Sequence, residues 1–163
     1  MNGENHLRIL VSKLESELGK LAGINTKLVA FHENRGEEPK NELDLRLYGS
    51  FLHDFYTCVE RIFREIATGI DGEIPDGESW HSDLLEQMAL ELPGVRKPVL
   101  SITTKEELHE FLRFRHVFRN VYGFELNWEK ILTLMEKYAA IYTDVESSFR
   151  RFLAFISTAM PDL

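Results

Sequence analysis

The residues best equipped for chemistry crowd into one run, "FRHVFRNVYGFEL", residues 114–126. Arg113, Arg115 and Arg119 fall within seven positions, and His116, Asn120 and Tyr122 sit among or just after them. A guanidinium grips a phosphate through two parallel hydrogen bonds, and an imidazole moves protons near neutral pH. Such a set would suit metal-independent RNA cleavage. A base removes the 2′-hydroxyl proton, the oxygen attacks the adjacent phosphorus, and arginine stabilises the developing charge. On a helix turning about 100° per residue, Arg115, Arg119 and Tyr122 lie within about 60° of one another beside an apolar stripe. Arg113, His116 and Asn120 gather on the polar side. The plainer reading is that arginines near a helix C-terminus complement the macrodipole and pair with carboxylates of an acidic body. Spacing alone leaves both readings open.

Other chemistries find less support. His6, His32, His53, His81, His109 and His116 are scattered, with no HExxH pair or Cys/His cluster, so neither a metal nor a cofactor is expected. "WHSD" sets His81 two residues before Asp83, which reads as a metal or phosphate contact or as ordinary polarity at a helix start. There is no P-loop, GxGxxG or GxSxG. The one cysteine, Cys58, lies in the apolar pattern "HDFYTCVERIF" and reads as a buried thiol. A net charge of −8 excludes a globally basic nucleic-acid binder but not a local basic site. The N-terminal residues carry no signal-peptide pattern, and no run approaches the roughly 18 apolar residues of a membrane span. The expected location is cytoplasmic.

The elements that must position these residues are helical. Leu7, Leu14, Leu21 and Leu28 recur every seventh position, with Leu10, Leu18 and Phe31 between, predicting a helix over about Asn5–His32 that closes at "NRGEEP". Gly19 and Gly23 either weaken it or admit a close neighbour. A second helix, about Lys40–Ile70, carries a stripe wide enough to be buried on more than one side: Leu45, Tyr48, Leu52, Phe55, Val59, Ile62 and Ile66, widened by Leu47, Phe51 and Phe63. A shorter one follows in "SWHSDLLEQMALEL", with Ser79 as N-cap and Pro93-Gly94 as its stop. "PGVRKPVLSI" reads as loop. Two capping boxes, Thr103 to Glu106 and Thr104 to Glu107, announce the next helix, whose apolar face is Leu108, Phe111, Phe114, Phe118 and Val121 and whose end is marked by Gly123. The last starts near Asn127. Long helices with short breaks predict an all-α, up-and-down bundle of four to five helices, one domain over residues 1–163. The dense apolar faces suggest a homodimer.

The string "FRHVFRNVYGFELNW" resembles the signature of HepT-like toxins of the HEPN superfamily. So do "FYTCVERIFREIA", "IDGEIPDGESWHSDLLEQMA" and the "RKPVLS" loop, in the same order across roughly residues 40–130. The resemblance implies a dimerising helical bundle whose motif helices line a shared cleft and cleave RNA. It implies a minimal nucleotidyltransferase antitoxin as partner, which silences the toxin by transferring AMP to a motif tyrosine. Carried over, the family arginine falls on Arg115 and the acceptor tyrosine on Tyr122. His116 takes the polar position beside the arginine, while Arg113 and Arg119 would hold RNA phosphates. The family's catalytic histidine falls on Asn120, and an amide exchanges no protons near neutral pH. Three accounts follow. His116 stands in as proton carrier; or the copy retains only binding; or the asparagine was introduced. The RNA-handling accounts place Arg115 and Tyr122 facing outward into a groove between two copies.

Overall fold

Apolar spacing in the sequence sets each helix, and polar side chains set where it begins. The computed structural model describes residues 2–36, 41–120, 122 and 125–160. It contains α1 (Asn2–Arg35), α2 (Glu42–Ile66), α3 (Trp80–Met88), α4 (Ile102–Asn120) and α5 (Trp128–Thr158). Among the described residues there is no strand, only a lone bridge between Leu92 and Arg96. α2 starts at Asn41, whose side chain accepts from the Asp44 amide at 3.0 Å, and runs on into a π-helical turn, Ala67–Asp71. Asn127 caps α5 in the same way, accepting from the Lys130 amide.

Partner positions along the helices give the topology. His32 with Tyr48, Glu17 with Cys58 and Lys13 with Glu65 run in opposite senses, so α1 lies antiparallel to α2. Tyr48 with Trp128, Phe55 with Tyr138 and Phe63 with Phe149 rise together, so α5 runs parallel to α2. α4 opposes α2, with Phe118 at Gly49 and Phe111 at Phe55. Gly49 is buried, and the close approach needs a glycine because a Cβ would stand 2.6 Å from the Phe118 ring. The result is the expected up-and-down helical bundle. α1, α3, α4 and α5 all pack on α2, so its wide stripe is buried on more than one side, as its width predicted.

Several local expectations change. α1 is longer than Asn5–His32, and Gly19 and Gly23 face open space instead of a close neighbour. Ser79 precedes α3 without capping it, because its hydroxyl donates to the Asp83 carboxylate at 2.7 Å. α3 stops at Met88, before Pro93-Gly94. Those two residues form a tight turn in which the Val95 amide reaches the Leu92 carbonyl at 2.9 Å and Gly94 takes φ 76°. α4 begins two or three residues earlier than the capping boxes predicted, because Ser101 Oγ accepts from the Thr104 amide at 3.1 Å and leaves both threonines inside the helix. Cys58 is buried as expected; burial and then Glu17 push its thiol up to about 12. Val121, Gly123 and the helix start at Lys40 lie outside the described residues. None of the helices described is long and apolar enough to cross a membrane.

Candidate functional site

Three helices bring four titratable side chains into one cluster. Glu60 comes from the C-terminal half of α2, His81 from the first turn of α3, and Arg115 and His116 from α4. Glu60 and Arg115 are 5% exposed each, and Arg115 Nη1 lies 3.3 Å from Glu60 Oε2. The same carboxylate oxygen is 2.5 Å from His81 Nδ1. The His116 ring meets His81 edge-on, centroids 5.3 Å apart. Behind His81, Trp80 stacks at 3.6 Å, and Arg64 caps the Trp80 ring at 5.4 Å. α3 can hold His81 there because the loop behind it is pinned: Arg96 forks onto Asp71 at 2.6 and 2.7 Å.

Bond geometry decides the tautomer of His81. Arg115 Nη1 is also 3.1 Å from His81 Nδ1, but guanidinium nitrogens only donate. A Glu60 carboxylate that accepts from both neighbours requires the Nδ1 proton to point at Glu60, which leaves His81 Nε2 as the exchangeable nitrogen. His116 is largely open to solvent, yet the side facing this cluster is shielded. That shielding, then the charges of His81 and Arg115, hold its imidazole below the usual 6.5; Glu60 opposes the shift and Arg119 adds to it slightly. The pocket therefore favours a neutral imidazole at 116. Burial, with Glu60 next, also pushes the nearby Tyr56 hydroxyl far above its ordinary range.

The sequence-derived residues divide between this cluster and the open surface. Arg115 does not face outward: it is buried and paired with Glu60, because it continues the core stripe of Leu108 and Phe111 at steps of three and four. Its Nε has no hydrogen-bond partner among the described residues. Arg119 and Asn120 are exposed, and Asn120 spends its amide on the His116 carbonyl at 2.7 Å. Arg113 is exposed on the other flank of α4, along a groove shared with Leu126, Lys130 and Leu134. Tyr122 is 70% exposed beyond the helix end, its amide donating to Glu125 at 3.1 Å. His81 pairs with Glu60 and not with Asp83, which is taken by Ser79. Among the described residues no three His, Cys, Asp or Glu side chains form a metal-binding group.

Glu60 escaped the sequence reading, although it left a signal there. It falls four after Tyr56 and three before Phe63, a lone carboxylate on an apolar helix face, and such a charge is rarely buried without a partner.

The family model described as HepT-like protein matches residues 47–156. That is more than half of the chain, which therefore belongs to the HepT-like family of the HEPN superfamily. The match spans all of α3 and α4 and omits α1, which nonetheless packs against α2 and α5. No curated protein and no solved structure matches the chain.

Proposed function

We propose that this HepT-like protein is the toxin of a HEPN-type toxin–antitoxin pair. In this reading it is an endoribonuclease that cleaves RNA without a metal ion at the Arg115 end of α4. The single observation that supports it most is the buried Arg115, charged, only partly satisfied by protein, and set against the His81 ring that His116 meets edge-on. A buried guanidinium with spare donors stabilises charge on a phosphorane better than a solvated one, because little water competes with it. His116, held neutral, takes the 2′-hydroxyl proton. Arg119 at the surface, with Arg113 on the far flank, draws the RNA backbone in.

The partner in this reading is a minimal nucleotidyltransferase antitoxin that transfers AMP to Tyr122. The exposure of Tyr122 supports it, since an acceptor hydroxyl must enter another protein's active site. A homodimer, pairing the α4 ends of two single-domain chains, belongs to the same proposal. A second reading, a binding module without cleavage, is favoured by one observation: the Asn120 amide is tied to its own helix and offers no proton.

Both parts can be tested together. The unmodified chain, incubated with a fluorogenic RNA in excess chelator, should release product. After incubation with the nucleotidyltransferase and ATP its intact mass should rise by whole AMP units, and Tyr122→Phe should abolish the gain. RNA that is bound but never cut would establish the binding module instead. A Tyr122→Phe chain gaining the same mass would remove Tyr122 as the acceptor.

A further inference from the structure

The cluster contains an imidazole that the family motif does not assign. We propose that His81, positioned by Glu60, is the second proton-transfer residue of the site and supplies what Asn120 cannot. The inference deepens the ribonuclease reading above and rests on it.

The argument is geometric. Glu60 is buried, sits 2.5 Å from His81 Nδ1, and fixes the ring so that only Nε2 can trade a proton with a ligand. Trp80 stacks on one face of His81 and removes its rotational freedom. His116 lies edge-on with centroids 5.3 Å apart, close enough for both rings to reach oxygens of one phosphodiester. Arg115 sits against the same carboxylate and the same imidazole, so a phosphate that meets both rings also meets a guanidinium. The side chain of His81 retains 16% of its surface, so the ring is not sealed from solvent. Asn120, by contrast, spends its amide on the His116 carbonyl.

The step balances as follows. His116 takes the proton of the 2′-hydroxyl, the O2′–P bond forms and the P–O5′ bond breaks. His81 enters the step with protons on both nitrogens: the departing O5′ receives the one on Nε2, while Nδ1 keeps its proton toward Glu60. The products are a 2′,3′-cyclic phosphate and a free 5′-hydroxyl, and the two imidazoles reset by exchange with water. Glu60 stays ionised throughout and is a positioning residue.

The test compares two substrates that differ only in the leaving group. A diribonucleotide needs a proton on its departing oxygen, whereas a ribonucleoside 3′-(4-nitrophenyl phosphate) expels a stable phenolate without one. With the full chain, His81→Gln should slow the diribonucleotide by about 10²–10⁴-fold, the range typical of general acid–base help. The nitrophenyl ester should stay within a few-fold of the parent, which also reports that the variant is folded. Glu60→Gln should move both substrates in the same pattern by less. Equal losses on both substrates, or none on either, would overturn the role of His81 while leaving the ribonuclease reading in place. If the parent chain cleaves neither substrate, that reading falls and this inference falls with it.

Discussion

The molecule buries two arginines against carboxylates and treats them differently. Arg96 meets Asp71 fork to fork at 2.6 and 2.7 Å, both side chains at most 2% exposed, and its remaining donors reach the carbonyls of Leu90, Lys97 and Gln87. Arg115 meets Glu60 through one nitrogen at 3.3 Å, and its buried Nε has no partner among the described residues. A saturated guanidinium has nothing left to offer a ligand, so Arg96 reads as an anchor for the turn between α3 and α4. An under-used one carries a desolvation cost that protein contacts do not offset, and such exceptions gather at functional sites.

Substituting each arginine should sharpen that contrast. Arg96→Met leaves the Asp71 carboxylate with only the neutral Gln87 amide as side-chain partner and should cost about 3–5 kcal/mol, read by urea unfolding, because breaking a buried pair leaves an uncompensated charge. Arg115→Met should cost less stability, about 1–3 kcal/mol, since Glu60 keeps His81. Its RNA cleavage should nevertheless fall by roughly 10²–10³-fold. If Arg115→Met destabilises as much as Arg96→Met, the two pairs are equivalent and the functional assignment of Arg115 loses its basis.

Away from both arginines, Gly49→Ala places a methyl 2.6 Å from the Phe118 ring. It should lower stability by about 1–2 kcal/mol net, overpacking outweighing the better helix propensity of alanine. Cleavage should change only as far as α4 shifts. If His81 supplies the second imidazole as proposed, the Asn120→His chain should gain less than tenfold in cleavage. A gain near the full value of acid–base catalysis, about 10²–10⁴-fold, would show that the vacancy at 120 limits the protein.

The smallest effect is one of pH. With its imidazole held below 6.5 by burial, His81 and Arg115, His116 stays neutral as pH falls from 7 toward 6.5. Cleavage should therefore persist through that interval and decline only below 6.5, as His116 takes up a proton. The sign is the same for folding: the depressed group favours the native state above the unfolded-state value, and the benefit is lost as pH drops through the folded one. His116→Gln should flatten that acid-side loss in a thermal melt.

The helices were legible because period and length suffice for an amphipathic bundle. Leu14, Leu21 and Leu28 are buried as their spacing required, and so is the stripe from Tyr48 to Ile66. Helix starts were less legible, since Ser79, Ser101 and two threonines offer competing hydroxyls and only the folded backbone selects among them. Of the candidate site, the α4 residues stood out by composition alone. The inward turn of Arg115 was missed because its charge was weighed above its position on the stripe. Its tie to Glu60 spans 55 residues, and the tie of His81 to the same carboxylate spans 21, so no local pattern reveals either.

Whether an RNA phosphate enters the Arg115 cluster or only the outer arginines is best read by side-chain nitrogen NMR, adding a 2′-O-methyl RNA that cannot be cut. The account expects the Arg115 Nε–H signal and the ring signals of His81 and His116 to shift together and saturate at one RNA concentration. Shifts confined to Arg113 and Arg119, with the Arg115, His81 and His116 signals unmoved, would contradict it.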